Sequence, residues 1–167
     1  LVDAPSPGVQ VYDGAEDPRV HREPFVPDGA RKGKTTVVIA TAQHRQRLRE
    51  RLAVWELEDS FLGLDAQLTL DRFMRGGMPD PYLFDTVVGQ LIRSQAANGL
   101  QAFGEMVSLL WRQGNVEGTL ALERLWGLLQ ETVPFSLLCG YASSDFTDRP
   151  GLANVCELHT HVEPNAA

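Results

Sequence analysis

Apolar residues follow two different rhythms along the chain from Thr35 onward. Short, continuous apolar runs are typical of strands buried on both faces of a parallel sheet. Longer segments repeat their apolar residues at helical spacing, which predicts amphipathic helices. The predicted strands cover residues 35–41, 61–65, 100–103 and 135–141. The predicted helices cover residues 42–55, 66–74, 82–97, 105–112, 116–131 and 151–162.

Strands that alternate with helices in this way predict an α/β fold. We expect a three-layer sandwich, in which helices flank a mostly parallel central sheet. Residues 76–81, with the sequence GGMPDP, are predicted to form a loop that leads into the next helix. This part of the chain is long enough for one domain with a sizeable core, and two full domains are disfavoured by its length.

Residues 1–32 have a different composition from the rest of the chain. Five prolines and three glycines interrupt this segment, and the prolines disfavour a long helix between Asp13 and Gly33. Residues 9–12 alternate between apolar and polar and predict a short first strand. We therefore predict a partly ordered segment over 1–32, followed by the main domain over 33–164.

The charge and apolar content of the chain exclude several classes of protein. The net charge is −7, so the chain lacks the basic surface with which proteins bind nucleic acid or anionic membranes. No apolar run approaches the roughly 20 residues that span a bilayer. Cys139 and Cys156 lie among apolar neighbours, as reduced and buried cysteines do. These observations predict a cytoplasmic domain that contacts neither nucleic acid nor membrane directly.

The segment Gly33-Lys34-Thr35 contains the last residues of a phosphate-binding loop but not the rest of the motif. That motif requires a glycine five positions before the glycine of its Gly-Lys pair, and Asp28 occupies that position here. The loop must also follow a strand and open a helix, whereas here the Gly-Lys pair precedes a strand. We interpret this segment as a solvated turn.

Two carboxylates, Asp65 and Glu105, come directly after predicted strands. Each has two interpretations: it caps the helix that follows it, or the two form a pair for metal binding or acid–base chemistry. Gly104 favours the second interpretation for Glu105, because a residue without a side chain lets a ligand approach the backbone.

Ligands of open α/β sheets bind beyond the carboxyl ends of the strands. The predicted ligand-binding residues are accordingly those at strand ends and in the helical turns that follow them: Thr41, His44, Asp65, Glu105, Met106 and Tyr141. The aromatic residues Phe103, Trp111 and Trp126 are interpreted first as core and second as the lining of an apolar pocket.

No nucleophile motif and no cysteine–histidine cluster accompanies these residues. His159 and His161 are two residues apart and do not share a helix face, so one helix does not present both to one ion. We predict no catalytic residue, no metal site and no cofactor.

Several segments of the sequence resemble one family of sensory domains. The segments are VVIAT with the following His44-Arg45, DAQLTLDRFM, GMPDP, AFGEMVSLLWRQGN, LERLW, PFSLLCGY and VCELHTHVEP. They cover most of residues 35–164 and are similar to the MEDS family, named for methanogens, methylotrophs and the dichloromethane regulator. The resemblance implies a fold similar to the RecA/KaiC group without a working phosphate-binding loop.

The resemblance also implies a function and partners. Such domains sense small molecules and precede histidine-kinase or transcription-regulator output modules in bacterial signal transduction. The leading hypothesis is therefore a non-enzymatic sensory domain with an unidentified small-molecule ligand. Self-association into a homo-oligomer is a further hypothesis about its partners. The alternatives are a RecA-type nucleotide-binding or ATPase-like domain and a protein–protein interaction scaffold.

Overall fold

A computed structural model describes residues 8–12, 25–96, 99–142 and 161–164. The strands are β1 (Gly8–Tyr12), β2 (Thr35–Ala40), β3 (Leu62–Asp65), β4 (Met74–Arg75), β5 (Met78–Pro79), β6 (Leu100–Gly104), β7 (Phe135–Ala142) and β8 (His161–Pro164). The helices are α1 (Phe25–Arg31), α2 (Ala42–Ala53), α3 (Ala66–Phe73), α4 (Pro81–Phe84), α5 (Gln90–Gln95), α6 (Met106–Arg112) and α7 (Val116–Thr132).

Six of the strands form one sheet in the order β3-β2-β6-β7-β1-β8. Every neighbouring pair in this sheet is parallel. The predicted α/β fold with a parallel central sheet is therefore confirmed.

Successive residues of a strand point to opposite faces of a sheet, and this alternation divides the core in two. Val38 and Ala40 of β2 face α1 and α2, where they pack with Leu48 and Leu52. Val37 and Ile39 face the other side, where the larger cluster contains buried residues of α3, α4, α6 and α7. The sheet is thus covered by helices on both faces, as the three-layer prediction requires.

The structure differs from the sequence predictions near both ends of the chain. A seven-residue helix, α1, lies inside the proline-rich segment. Pro27 is in its first turn, where backbone N–H groups have no intrahelical acceptor, so the missing N–H of proline costs no hydrogen bond. The predicted closing helix is wrong at its last two residues, because His161 and Val162 belong to β8. Its remaining residues, 151–160, lie outside the described residues.

The predicted loop at residues 76–81 is also wrong in part. Met74–Arg75 and Met78–Pro79 pair as a small antiparallel hairpin. Gly76 and Gly77 form its turn with φ of +57° and +80°, a conformation that suits glycine. Asp80 then caps α4, since its side chain accepts a hydrogen bond from the Leu83 N–H.

The helix predicted over 82–97 is interrupted by a π-helical turn. Residues Asp85–Gly89 form this turn between α4 and α5. Turns of this kind insert an extra residue into a helix and occur frequently at functional sites.

Candidate functional site

The carboxyl ends of β2 and β6 form a topological switch point. The chain leaves β2 for β3 on one side and later returns to β6 on the other side of β2. α2, which follows β2, packs on one face of the sheet, whereas α6, which follows β6, packs on the opposite face. The two connections therefore diverge, and crevices of this kind hold the ligands of open α/β sheets.

Glu105 lies in this crevice, immediately after β6. Its backbone N–H donates to the Ile39 carbonyl at 2.9 Å, which extends the pairing of β6 with β2 by one residue. The side chain is almost completely buried, with 3% of the residue exposed. Although Glu105 precedes α6, its side chain does not cap that helix. The capping interpretation is therefore wrong for Glu105.

The Glu105 carboxylate instead binds the first turn of α2, across the switch point. Oε2 accepts a hydrogen bond from the Thr41 N–H at 3.0 Å. Oε1 is hydrogen-bonded to Nδ1 of His44. Where the carboxylate acts as the acceptor, Nδ1 of His44 is the donor in this contact. One buried side chain thus joins the end of β6 to the start of α2.

Two further contacts fix the first turn of α2. Thr41 caps the helix, with its Oγ1 accepting from the His44 N–H at 3.2 Å. The His44 ring packs edge-on against Phe103 of β6, with ring centroids 5.3 Å apart. The imidazole is consequently held between an aromatic ring and a carboxylate, while part of His44 reaches solvent.

Asp65 ends β3 at the same edge of the sheet but has a different role. Its Oδ1 accepts from the Leu68 N–H at 3.0 Å, so it caps α3. Its Oδ2 lies 3.7 Å from a guanidinium nitrogen of Arg45 on α2. The capping interpretation is confirmed for Asp65, and its contact with Arg45 places it next to α2.

Met106 and Tyr141 lie inside the larger core. Met106 is buried in the first turn of α6, and Tyr141 is buried near the end of β7. The Tyr141 hydroxyl donates to Glu123 Oε1 of α7 at 2.5 Å. Of the six predicted site residues, Thr41, His44 and Glu105 are thus in direct contact, whereas Met106 and Tyr141 point into the core.

Glu123 is a buried carboxylate that the sequence interpretation missed. It is 4% exposed, and its Oε2 also accepts a hydrogen bond from Cys139 Sγ at 3.3 Å. A sequence signal for it exists: Glu123 lies three residues before Trp126 and four after Thr119, which places it on the inward face of α7. Both oxygens of this carboxylate serve as acceptors for side chains of β7.

We expect Cys139 to be chemically inert while the protein is folded. Burial, together with the neighbouring Glu123 carboxylate, raises the pKa of the Cys139 thiol well above its ordinary value of 9.0. A thiol with a raised pKa stays protonated and is a poor nucleophile. In a Cys156→Ser background, iodoacetamide should label Cys139 only in denaturant.

The raised pKa of Cys139 also affects the stability of the protein at high pH. Because the folded-state pKa of Cys139 is the higher one, the free energy of unfolding should fall as the pH rises above 9.0. Rapid labelling of Cys139 in the native protein at neutral pH would contradict its burial. A Cys139→Ala variant, which lacks the thiol, should lose this part of the pH dependence.

The remaining sequence features can also be placed. The Gly33-Lys34-Thr35 turn connects α1 to β2 and lies at the amino end of the sheet, opposite the switch point. Among the described residues, no group of three His, Cys, Asp or Glu side chains has a metal-binding arrangement. Within the same residues, no helix has the length and apolar character needed to cross a membrane.

Comparison with known protein families identifies the family of this chain. The model of the MEDS family, described as the methanogen/methylotroph, DcmR sensory domain, matches residues 8–160. No curated protein matches the chain. The family match includes β1, which precedes the segments on which the sequence resemblance depends, and it covers most of the chain. The chain therefore belongs to the MEDS family of sensory domains.

Proposed function

We propose that this protein is a non-enzymatic sensory domain whose small-molecule ligand binds at the carboxyl ends of β2 and β6. The observation that carries the proposal is the buried Glu105 carboxylate, which spans the switch point and binds Thr41 and His44. Burying a carboxylate costs free energy unless the group is hydrogen-bonded. Its presence in a crevice of this kind therefore favours a functional role.

The charge of Glu105 restricts the class of ligand. The N-terminus of a helix attracts anions, because its N–H groups are unpaired and its dipole is positive there. At the N-terminus of α2, the Glu105 carboxylate already takes this place. A phosphate group would therefore meet a negative charge, whereas a neutral hydrogen-bond donor or a cation would be attracted. This argument supports a ligand of the latter kind over a nucleoside triphosphate.

The contacts also suggest how binding would be transmitted. A ligand that donates a hydrogen bond to Glu105 competes with His44 and Thr41 for the same two oxygens. Binding would then favour a state in which the first turn of α2 is rearranged relative to β6. A ligand shifts such an equilibrium only by its difference in affinity for the two states. The output would pass to a histidine-kinase or transcription-regulator module.

A melting-temperature screen tests the proposal. Ligands that bind only the folded state raise the melting temperature, by an amount that grows with their concentration. We expect at least one neutral or cationic donor to raise it for the wild-type chain and to lose this effect in Glu105→Gln. ATP or GTP with Mg²⁺ should leave it unchanged.

The matched control is Glu117→Gln, which removes one carboxylate from the exposed first turn of α7. This variant should respond to the ligand as the wild type does. A rise in melting temperature with ATP and Mg²⁺, abolished in Glu105→Gln, would instead support the nucleotide-binding alternative. Ligand responses that are equal in all three proteins would contradict the proposed position of the site.

A further inference from the structure

A second candidate site lies between α4–α5 and the second half of α7. It is a groove of about 330 Å³. Phe84, Leu129 and Val133 form its buried floor, and Leu125 and Leu128 form one wall. The groove shares no residue with the candidate site at the switch point. Its volume lies at the lower end of the range for small-molecule sites.

The charged groups that line the groove neutralise each other. Arg93 donates two hydrogen bonds to Asp85, from Nη1 to Oδ1 at 2.9 Å and from Nη2 to Oδ2 at 2.8 Å. These hydrogen bonds lower the pKa of Asp85 and raise that of Arg93, so both groups stay ionised. Two-point pairing of this kind leaves the groove with no net charge for a ligand to match.

This pairing depends on the π-helical turn. In a regular α-helix, residues eight apart are rotated by about 80° around the axis. The extra residue of the turn at Asp85–Gly89 reduces that rotation and brings Asp85 and Arg93 onto one face. Gly89 lies between them, and a β-carbon there would come within 2.5 Å of Asp85 Oδ1. The inserted turn and the glycine thus both contribute to the polar edge of the groove.

We propose that this groove is a binding site for a neutral small molecule with an apolar body and one hydrogen-bonding group. The apolar body would cover Phe84, Leu125 and Leu129, and the polar group would lie towards the Asp85–Arg93 pair. A charged molecule is disfavoured because no opposite charge is left for it. The proposal does not rest on the site at the switch point, and failure of either leaves the other standing.

The test uses a series of primary alcohols, from 1-propanol to 1-hexanol, as probes of the ¹⁵N-labelled full chain. Amide shifts should saturate and be largest in residues 81–95 and 125–133. The affinity should rise by up to about fourfold for each added methylene, as the apolar body displaces more water from the groove.

Two variants decide whether 1-hexanol binds in the groove. Leu128→Lys places a charge on the wall at a residue that is 56% exposed, and it should weaken 1-hexanol binding about tenfold. Leu68→Lys makes the same change on α3, where the leucine is 68% exposed, and should have no effect. Shifts that do not saturate, or equal affinity for 1-hexanol in both variants, would overturn the proposal.

Discussion

Replacing Glu105 with alanine is expected to destabilise the protein by about 2–4 kcal/mol, since hydrogen bonds to charged groups contribute about 1.5–3 kcal/mol each. The substitution removes both acceptors and leaves the Thr41 N–H and the His44 ring without this partner. Because the lost contacts join α2 to β6, amide hydrogen exchange in the first turn of α2 should rise most. Chemical denaturation measures the global effect.

Glu105→Gln is the matched control for this experiment. Glutamine keeps the length of the side chain and one oxygen that accepts from Thr41. It also offers an amide N–H to His44, whose Nδ1 then becomes the acceptor after a change of tautomer. We therefore expect Glu105→Gln to recover at least half of the stability lost in Glu105→Ala. Equal loss in the two variants would show that the length of the side chain and neutral hydrogen bonds are not sufficient, and that the site requires the negative charge.

Replacing Gly29 with alanine is expected to cost about 2–4 kcal/mol, as overpacking combined with loss of buried hydrogen bonds does. A β-carbon at Gly29 would come within 2.0 Å of the Gln101 side chain. That side chain is buried and donates to the Val26 carbonyl at 3.2 Å and to Thr36 Oγ1 at 3.0 Å. Its displacement would break both contacts and move α1 away from the sheet.

A second substitution distinguishes this mechanism from a general loss of helix α1. In Gln101→Ala, the atoms that the new β-carbon would meet are absent. The added cost of Gly29→Ala in that background should fall below about 1 kcal/mol, because contacting residues are strongly coupled in stability. An unchanged cost would mean that Gly29 is needed for a reason other than the approach of Gln101. Thermal denaturation of the four proteins provides the comparison.

The layered fold could be predicted because its signals are local. The run of β-branched residues in β2 and the apolar stripe of α7 each specify an element without reference to the rest of the chain. The π-helical turn and α1 could not be predicted in this way. The turn is associated with a contact between residues 85 and 93, and α1 with the space that Gly29 leaves for Gln101, and neither contact can be read from local periodicity.

The candidate site was predictable only in part. The predicted strand ends indicated that Thr41 and Glu105 lie near each other, because parallel strands end at the same edge of a sheet. The sequence does not specify which side chain a carboxylate binds: Asp65 caps its own helix, whereas Glu105 binds α2, which is distant in sequence. Tyr141 lies near the end of a strand as predicted, yet its ring points into the core because the alternation of β7 assigns it to that face.

The most direct test of this account is a double-mutant cycle between Glu105 and His44. Denaturation of the wild type, Glu105→Ala, His44→Ala and the double variant gives the interaction free energy of the two side chains. Since these residues are in contact, we predict a coupling of about 1–3 kcal/mol. If the two losses add to within about 0.3 kcal/mol, the carboxylate does not link β6 to α2, and the proposed route from ligand to helix is wrong.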